Sequence, residues 1–167
     1  MQTGWQTIDG IRYYLHPTSG IMQTGWQTIS NDRYYFYPTS SWIWTGSTIV
    51  QRTMGEMAVG SVSIDGAQYF FNSNGVMASP PSAVTNLAST PGNGSVTINW
   101  EAPSSNGGAD ITSYQVSRNN GAWVTASSNT SHTFTGLTNG TSNTFRVRAV
   151  NAAGAVCQPC ECVTCIT

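Results

Sequence analysis

The sequence predicts an all-β protein: a β-solenoid of two-stranded hairpins with a repeat of about twenty residues, followed by an antiparallel β-sandwich. Three observations predict it. The string TGWQTI stands at residues 3–8 and again at 24–29. Beyond residue 82, short runs alternate apolar and polar residues between Gly- and Asn-rich turn signals. The composition, rich in Ser, Thr, Asn and Gly with 11% aromatics, suits short strands and tight turns and not long helices.

The repeat runs through residues 1–79. Trp5/Trp26, Ile8/Ile29, Arg12/Arg33, Tyr13/Tyr34, Tyr14/Tyr35 and Pro17/Pro38 share one spacing of 21 positions. Within a unit, Gly-Trp-Gln-Thr-Ile and Arg-Tyr-Tyr-Leu flank Asp9-Gly10, the pair that favours a two-residue hairpin turn; Ser30-Asn31 stands there in the second unit. A single hairpin is marginal in water, so the units are expected to stack and cover one another's aromatic faces. A weaker copy spans Met57 to Met77, with Ser61 in place of the tryptophan. Between them, residues 39–56 read as an elongated or irregular unit with Trp42, Trp44 and Thr45-Gly46 but no recognisable second strand.

By these residues the array resembles the cell-wall-binding or choline-binding repeat family, whose unit looks like Gly-Trp, a turn, an aromatic strand and Gly-x-Met. Pneumococcal-type choline modules, glucan-binding tails and the lectin repeats of large clostridial toxins belong to it. In the choline branch the resemblance implies a cation cage that includes a tryptophan opening the second strand, but Arg12, Arg33 and Gln68 stand there. The lectin-type wording is closer, and it implies a glycan bound beside a longer unit. A sugar site needs an apolar platform and planar or charged donors. Trp26, Tyr35, Trp42 and Trp44 are the candidate platform; Arg33, Gln51 and Arg52 are the candidate donors. Most aromatics of a hairpin stack fill its core, and a strand arginine is ordinarily a solvated face, so the array as a whole carries the functional signal.

Pro80-Pro81 ends the array, residues 80–82 are the expected linker, and 83–167 the second domain. Val96-Thr-Ile98-Asn-Trp100, Tyr114/Val116, Phe134 and Phe145/Val147/Ala149 read as its strands. With Pro-x-x-Val-x-Asn-Leu at 81–87, Trp100 followed by Ala102-Pro103, and Gly136-Leu137 before Phe145-Arg-Val-Arg-Ala, this segment resembles the fibronectin type III family. The resemblance implies a β-sandwich and a tyrosine at the position of Asn143, whose loss is expected to lower stability by about 1 to 3 kcal/mol.

Only 8% of residues are charged, the net charge is −1 and there is no lysine, so nucleic acid is excluded as a partner. No apolar run approaches the roughly 18 residues that span a bilayer, and no membrane partner is expected. Cys157, Cys160, Cys162 and Cys165 could be four thiolates for one metal ion, but the spacing is cramped and a last strand with incidental thiols is the plainer reading; no cofactor is expected. The acidic residues stand mostly at turns (Asp9, Asp65, Asp110), and His16 and His132 lie in separate parts, so no catalytic constellation is present and an enzyme is not expected.

The expectation is therefore a non-catalytic, monomeric module that binds a glycan or cell-wall polymer outside the cell or at its surface, as part of a larger exported bacterial protein. The type III domain acts as spacer. The alternatives are a structural stalk or adhesion module that contacts other surface proteins, and a choline-binding wall anchor.

Overall fold

The computed structural model describes residues 1–44, 49–155 and 161–166, and all regular structure among them is β-strand. The chain divides into two compact units, Met1–Met77 and Ala78–Thr167.

The first unit is built from hairpins. β1 (Gly4–Ile8) pairs with β2 (Ile11–Leu15), and β3 (Gly25–Ile29) with β4 (Asp32–Phe36), in the same register: Trp5 opposite Tyr14, Trp26 opposite Tyr35. β7 (Gly60–Ile64) and β8 (Ala67–Phe71) repeat it with Ser61 opposite Phe70. The turns are the ones the dipeptides predict: Asp9-Gly10, Ser30-Asn31 and Asp65-Gly66 all take positive φ at both positions, from 51° to 81°. That twist matches the flanking strands and fixes a two-residue loop.

After each of these hairpins the chain makes one and the same reversal. His16 donates its N–H to Ile21 O (2.8 Å) and accepts from Gly20 N (2.9 Å). Tyr37 does this with Glu56 (3.0 Å) and Gly55 (2.7 Å), and Asn72 with Val76 (2.9 Å) and Gly75 (2.8 Å). A methionine then closes the ladder each time, Met22 opposite Leu15, Met57 opposite Phe36 and Met77 opposite Phe71.

This equivalence places residues 38–54 as an insertion within the second reversal. It carries a hairpin of its own, β5 (Ser41–Trp44) paired with β6 (Ile49–Arg52), with Trp42 opposite Gln51. The expectation of no second strand in 39–56 is thereby corrected. Ile49-Val50-Gln51-Arg52 has β-branched residues that suit a strand but lacks the paired aromatics that mark the other hairpins, so pattern alone passed over it.

Successive hairpins are joined through main chain and rings. Met57 N–H donates to Arg12 O (2.9 Å), Met77 N–H to Arg33 O (2.7 Å) and Ala58 N–H to Tyr35 O (2.8 Å). Trp5 meets Tyr34 and Phe36 of the next hairpin, and Trp26 meets Tyr69 and Phe71 across the inserted segment. Phe36 and Phe71 are fully buried under these contacts. Trp5 and Trp26 thus each reach forward, and Ser61 ends the series.

The second unit is a sandwich. One sheet has the order β13-β10-β9, from β9 (Thr85–Gly92), β10 (Ser95–Glu101) and β13 (Ser131–Thr135). The other has the order β12-β11-β14-β15, from β11 (Ile111–Arg118), β12 (Val124–Thr125), β14 (Ser142–Asn151) and β15 (Glu161–Ile166). Its core is Val96, Ile98 and Trp100 against Tyr114, Val116, Phe145 and Val147, the period-two positions of the sequence. Ser79 and Ser82, beside and within the expected linker, donate their N–H groups to Gly107 O (2.8 Å) and Ser105 O (3.0 Å). Asn151 Nδ2 adds a bond to Ser79 O (2.8 Å).

Candidate functional site

The hairpin register decides what surrounds each tryptophan. With Trp26 opposite Tyr35, the residue two before Tyr35 lies diagonally across on the same face. That residue is Arg33, whose Cζ sits 4.1 Å from the Trp26 ring centroid. Tyr35 and Tyr69 stand at 67° and 72° to the indole, with centroids 5.2 and 4.9 Å away. The first hairpin repeats the constellation: Arg12 Cζ lies 4.4 Å from the Trp5 centroid, with Tyr14 and Tyr34 at 63° and 64°. Burial raises the Tyr34 and Tyr35 phenols above their ordinary value, with added repulsion from Asp32 and Asp65 respectively.

The inserted hairpin differs. Trp42 is 69% exposed, and Gln51 opposite it is exposed too. An indole left in water on a strand is unusual, because nearly every other large ring of this unit is at least half covered. Arg52 is held at the base of this hairpin: its Nη1 donates to Glu56 Oε1 at 2.6 Å, and Thr53 N–H donates to Glu56 Oε2 at 2.9 Å. Its Cζ also lies 5.5 Å from the Tyr37 ring centroid. Burial raises the Tyr37 phenol, the Arg52 charge opposing it.

Of the expected platform and donors, the structure thus brings Trp26, Arg33 and Tyr35 together in one packed cluster and leaves Trp42 and Gln51 open to solvent. Arg52 is engaged by Glu56, and Trp44 takes a backbone place opposite Ile49 while its side chain lies outside the described part. Thr45-Gly46, Cys157 and Cys160 also lie outside the described residues; Cys162 and Cys165 take backbone places opposite Arg146 and Asn143.

Sequence reasoning missed a shallow cleft of about 220 Å³ between the hairpins, lined by Ile11, Arg12, Glu56, Met57, Val59 and Ser73. It combines a cation, a carboxylate and an apolar floor. The residues come from the start of β2, from the second reversal with the segment that follows it, and from the third reversal, so only the stacking spacing, not a local motif, could have signalled it. The placement of Arg12 and Arg33 over indoles was findable, since a two-residue turn fixes which residues share a face.

The array and the sandwich both have counterparts. A family model described as a choline-binding repeat matches residues 2–47, one described as a putative cell wall binding repeat matches 62–77, and the fibronectin type III domain model matches 79–164. Among solved structures, titin kinase and its flanking domains is 28% identical over 54% of this chain and 18% of that one, with a TM-score of 0.46. The chain therefore spans less than a fifth of that structure's length. The 6th fibronectin type III domain from human fibronectin type III domain containing protein 3 is 29% identical, covering 54% of this chain and 88% of that domain, with a TM-score of 0.43. The choline binding domain of a Streptococcus pneumoniae protein is 26% identical, covering 47% of this chain and 96% of that domain, with a TM-score of 0.34.

Proposed function

From a chain that belongs to the fibronectin type III domain family over residues 79–164 and carries choline-binding and cell-wall-binding repeats over residues 2–77, we propose a non-catalytic module that binds a glycan or cell-wall polymer. The match of the repeats to choline-binding and cell-wall-binding repeat models supports a partner at a cell wall and a protein at a surface or outside the cell. The binding element is the inserted hairpin, and the sandwich serves as spacer in a monomer.

One observation carries this reading: Trp42 stands 69% exposed with Gln51 opposite it. An indole face takes the C–H face of a sugar ring, and a neighbouring amide offers both a donor and an acceptor to hydroxyls. Arg52 is fixed at the edge by Glu56 and stiffens the base of the hairpin instead of reaching for ligand. The choline-anchor reading is less favoured because the Trp5 and Trp26 rings already carry guanidinium groups.

The test is an array of glycans and wall fragments probed with the full chain, Trp42→Ala and Gln51→Ala. Binding to one glycan class that falls about tenfold or more in Trp42→Ala supports the reading. A full chain that binds nothing on the array leaves the stalk, and a Trp42→Ala variant that binds unchanged moves the site elsewhere.

A further inference from the structure

We propose that Arg12 and Arg33 are specificity-determining residues: each occupies, as a resident cation, an aromatic face that would otherwise accept a quaternary ammonium ion. The inference stands apart from glycan binding at Trp42 and is read by a different ligand.

The geometry recurs with little change in two hairpins. Each guanidinium carbon lies 4.1 to 4.4 Å from an indole centroid, with one tyrosine of the same hairpin and one of the next standing steeply to the ring. A cation over an indole beside further electron-rich rings is the chemistry that recognises quaternary ammonium groups. Here the protein supplies the cation.

What holds these arginines over the rings is the ring itself. The one ion pair among the described residues is Arg52–Glu56, so no carboxylate fixes Arg12 or Arg33 in place. Arg52 is the contrast: held by Glu56, it stands further off its aromatic neighbour, 5.5 Å from the Tyr37 centroid. The cause of the Arg12 and Arg33 positions is the diagonal register of the hairpin, which sets a long, flexible, charged side chain beside the indole on the same face.

A resident guanidinium excludes an incoming ammonium in two ways. It covers the ring face, and two positive charges within about 4 Å repel. The third hairpin has neither part of the device: Ser61 replaces the indole and Gln68 the arginine. Of the three hairpins that keep the repeat, two carry indole and guanidinium together and the third carries neither; the inserted hairpin has Trp42 with no arginine at the diagonal position, where Ile49 stands.

Choline titration followed by tryptophan fluorescence tests this, with sodium chloride matched for ionic strength. The full chain and its Arg12→Ala, Arg33→Ala, Arg33→Gln and Arg33→Lys variants are compared, each checked for retained fold by circular dichroism. Arg33→Ala and Arg33→Gln are expected to bind choline at least about tenfold more tightly than the unaltered chain, from loss of the competing cation contact and its repulsion. Arg33→Lys keeps a cation and is expected to stay closed. The response of Arg33→Ala should vanish when Trp26→Phe is added. Equal choline binding by the unaltered chain and Arg33→Ala would overturn the proposal. So would a folded Arg33→Ala and a folded Arg33→Gln that both ignore choline.

Discussion

The sulfur of Met22 fills the space above Gly55 that any side chain there would need, and the sulfur of Met57 does the same above Gly75. Both glycines also sit at positive φ, 80° and 79°. The Gly-x-Met element is therefore a joint: the methionine of one reversal seats on the glycine of the next. Gly55→Ala and Gly75→Ala are each expected to cost about 2 to 4 kcal/mol, combining left-handed backbone strain with the displacement of the methionine tip, the larger loss falling at Gly75 because Met57 is buried and Met22 only half-buried. Gly60→Ala is the control, because its φ is 74° but nothing lies within 4 Å of the added carbon, leaving only the strain of about 1 to 2 kcal/mol. Urea melts followed by tryptophan fluorescence compare the three; equal losses at Gly55 and Gly60 would refute the joint.

Tyr37 is buried, and among the described residues its hydroxyl has no hydrogen-bond partner. Its ring packs with Ala58, Ile64 and Phe71 and lies near Arg52, contacts that a phenylalanine keeps. Tyr37→Phe is therefore expected to be neutral or stabilising by up to about 1 kcal/mol. The direction of the phenol shift adds a pH signature. Burial raises the folded pKa above the ordinary 10, so the stability it represents is present below that value and is lost as pH rises past it. The variant should lose part of the alkaline decline in melting temperature.

Asn143 is buried and accepts a bond from Asn119 Nδ2 at 3.0 Å, while Asn119 Oδ1 takes the Thr144 N–H at 2.8 Å. The sequence reading treats this position as a missing tyrosine and expects the ring to be restored with profit. In the fold the amide is part of a closed polar link between β14 and the turn after β11. Asn143→Ala is expected to lower stability by about 0.5 to 1.5 kcal/mol through loss of the bond from Asn119, whose exposed amide then turns to water, and Asn143→Tyr to give no gain. Chemical denaturation of the two variants checks both signs.

The hairpins were legible because their information is local. Asp9-Gly10, Ser30-Asn31 and Asp65-Gly66 state the turn, and the turn states the register. The sandwich strands were legible for the same reason, Val96, Ile98 and Trp100 all facing its core as the alternation requires. The β6 strand and the role of residues 38–54 were not. Their identity rests on Tyr37 meeting Gly55 and Glu56 as His16 meets Gly20 and Ile21, a relation between distant residues that no window of sequence contains. The same holds for the site: Trp42 and Trp26 are alike as letters, and only the stack decides that one is covered and the other open.

His132 links packing to pH in the sandwich. Its Nδ1 accepts the Ser127 N–H at 3.1 Å, and its ring stands edge-on to Phe134 with centroids 4.7 Å apart. Burial lowers its pKa from the ordinary 6.5. The folded state thus resists protonation more than the unfolded chain does, so its contribution is complete above about 6.5 and is lost as pH falls from there through the lowered folded value. The melting temperature of the sandwich should fall between neutral and mildly acid pH, and His132→Asn should flatten that fall. A slope unchanged in the variant would assign it to another group.

Trp26 and Trp42 separate folding from binding. Trp26 meets Tyr35 on its own hairpin and Tyr69 and Phe71 on β8, so it ties two hairpins together across the inserted segment. Removing it opens the cover over Phe71, which is fully buried. Trp26→Ala is expected to cost about 2 to 4 kcal/mol, towards the lower part of the range for buried aromatics because the indole is itself only half-buried. Trp42 meets the opposite condition: at 69% exposed it covers little, and Trp42→Ala should leave stability within about 0.5 kcal/mol. Melting curves and glycan binding measured on the same two proteins therefore give opposite patterns, lost stability at Trp26 and lost affinity at Trp42. If Trp42→Ala instead melts the array, the exposed ring is a structural prop, and the reading of the inserted hairpin as a glycan platform falls with it.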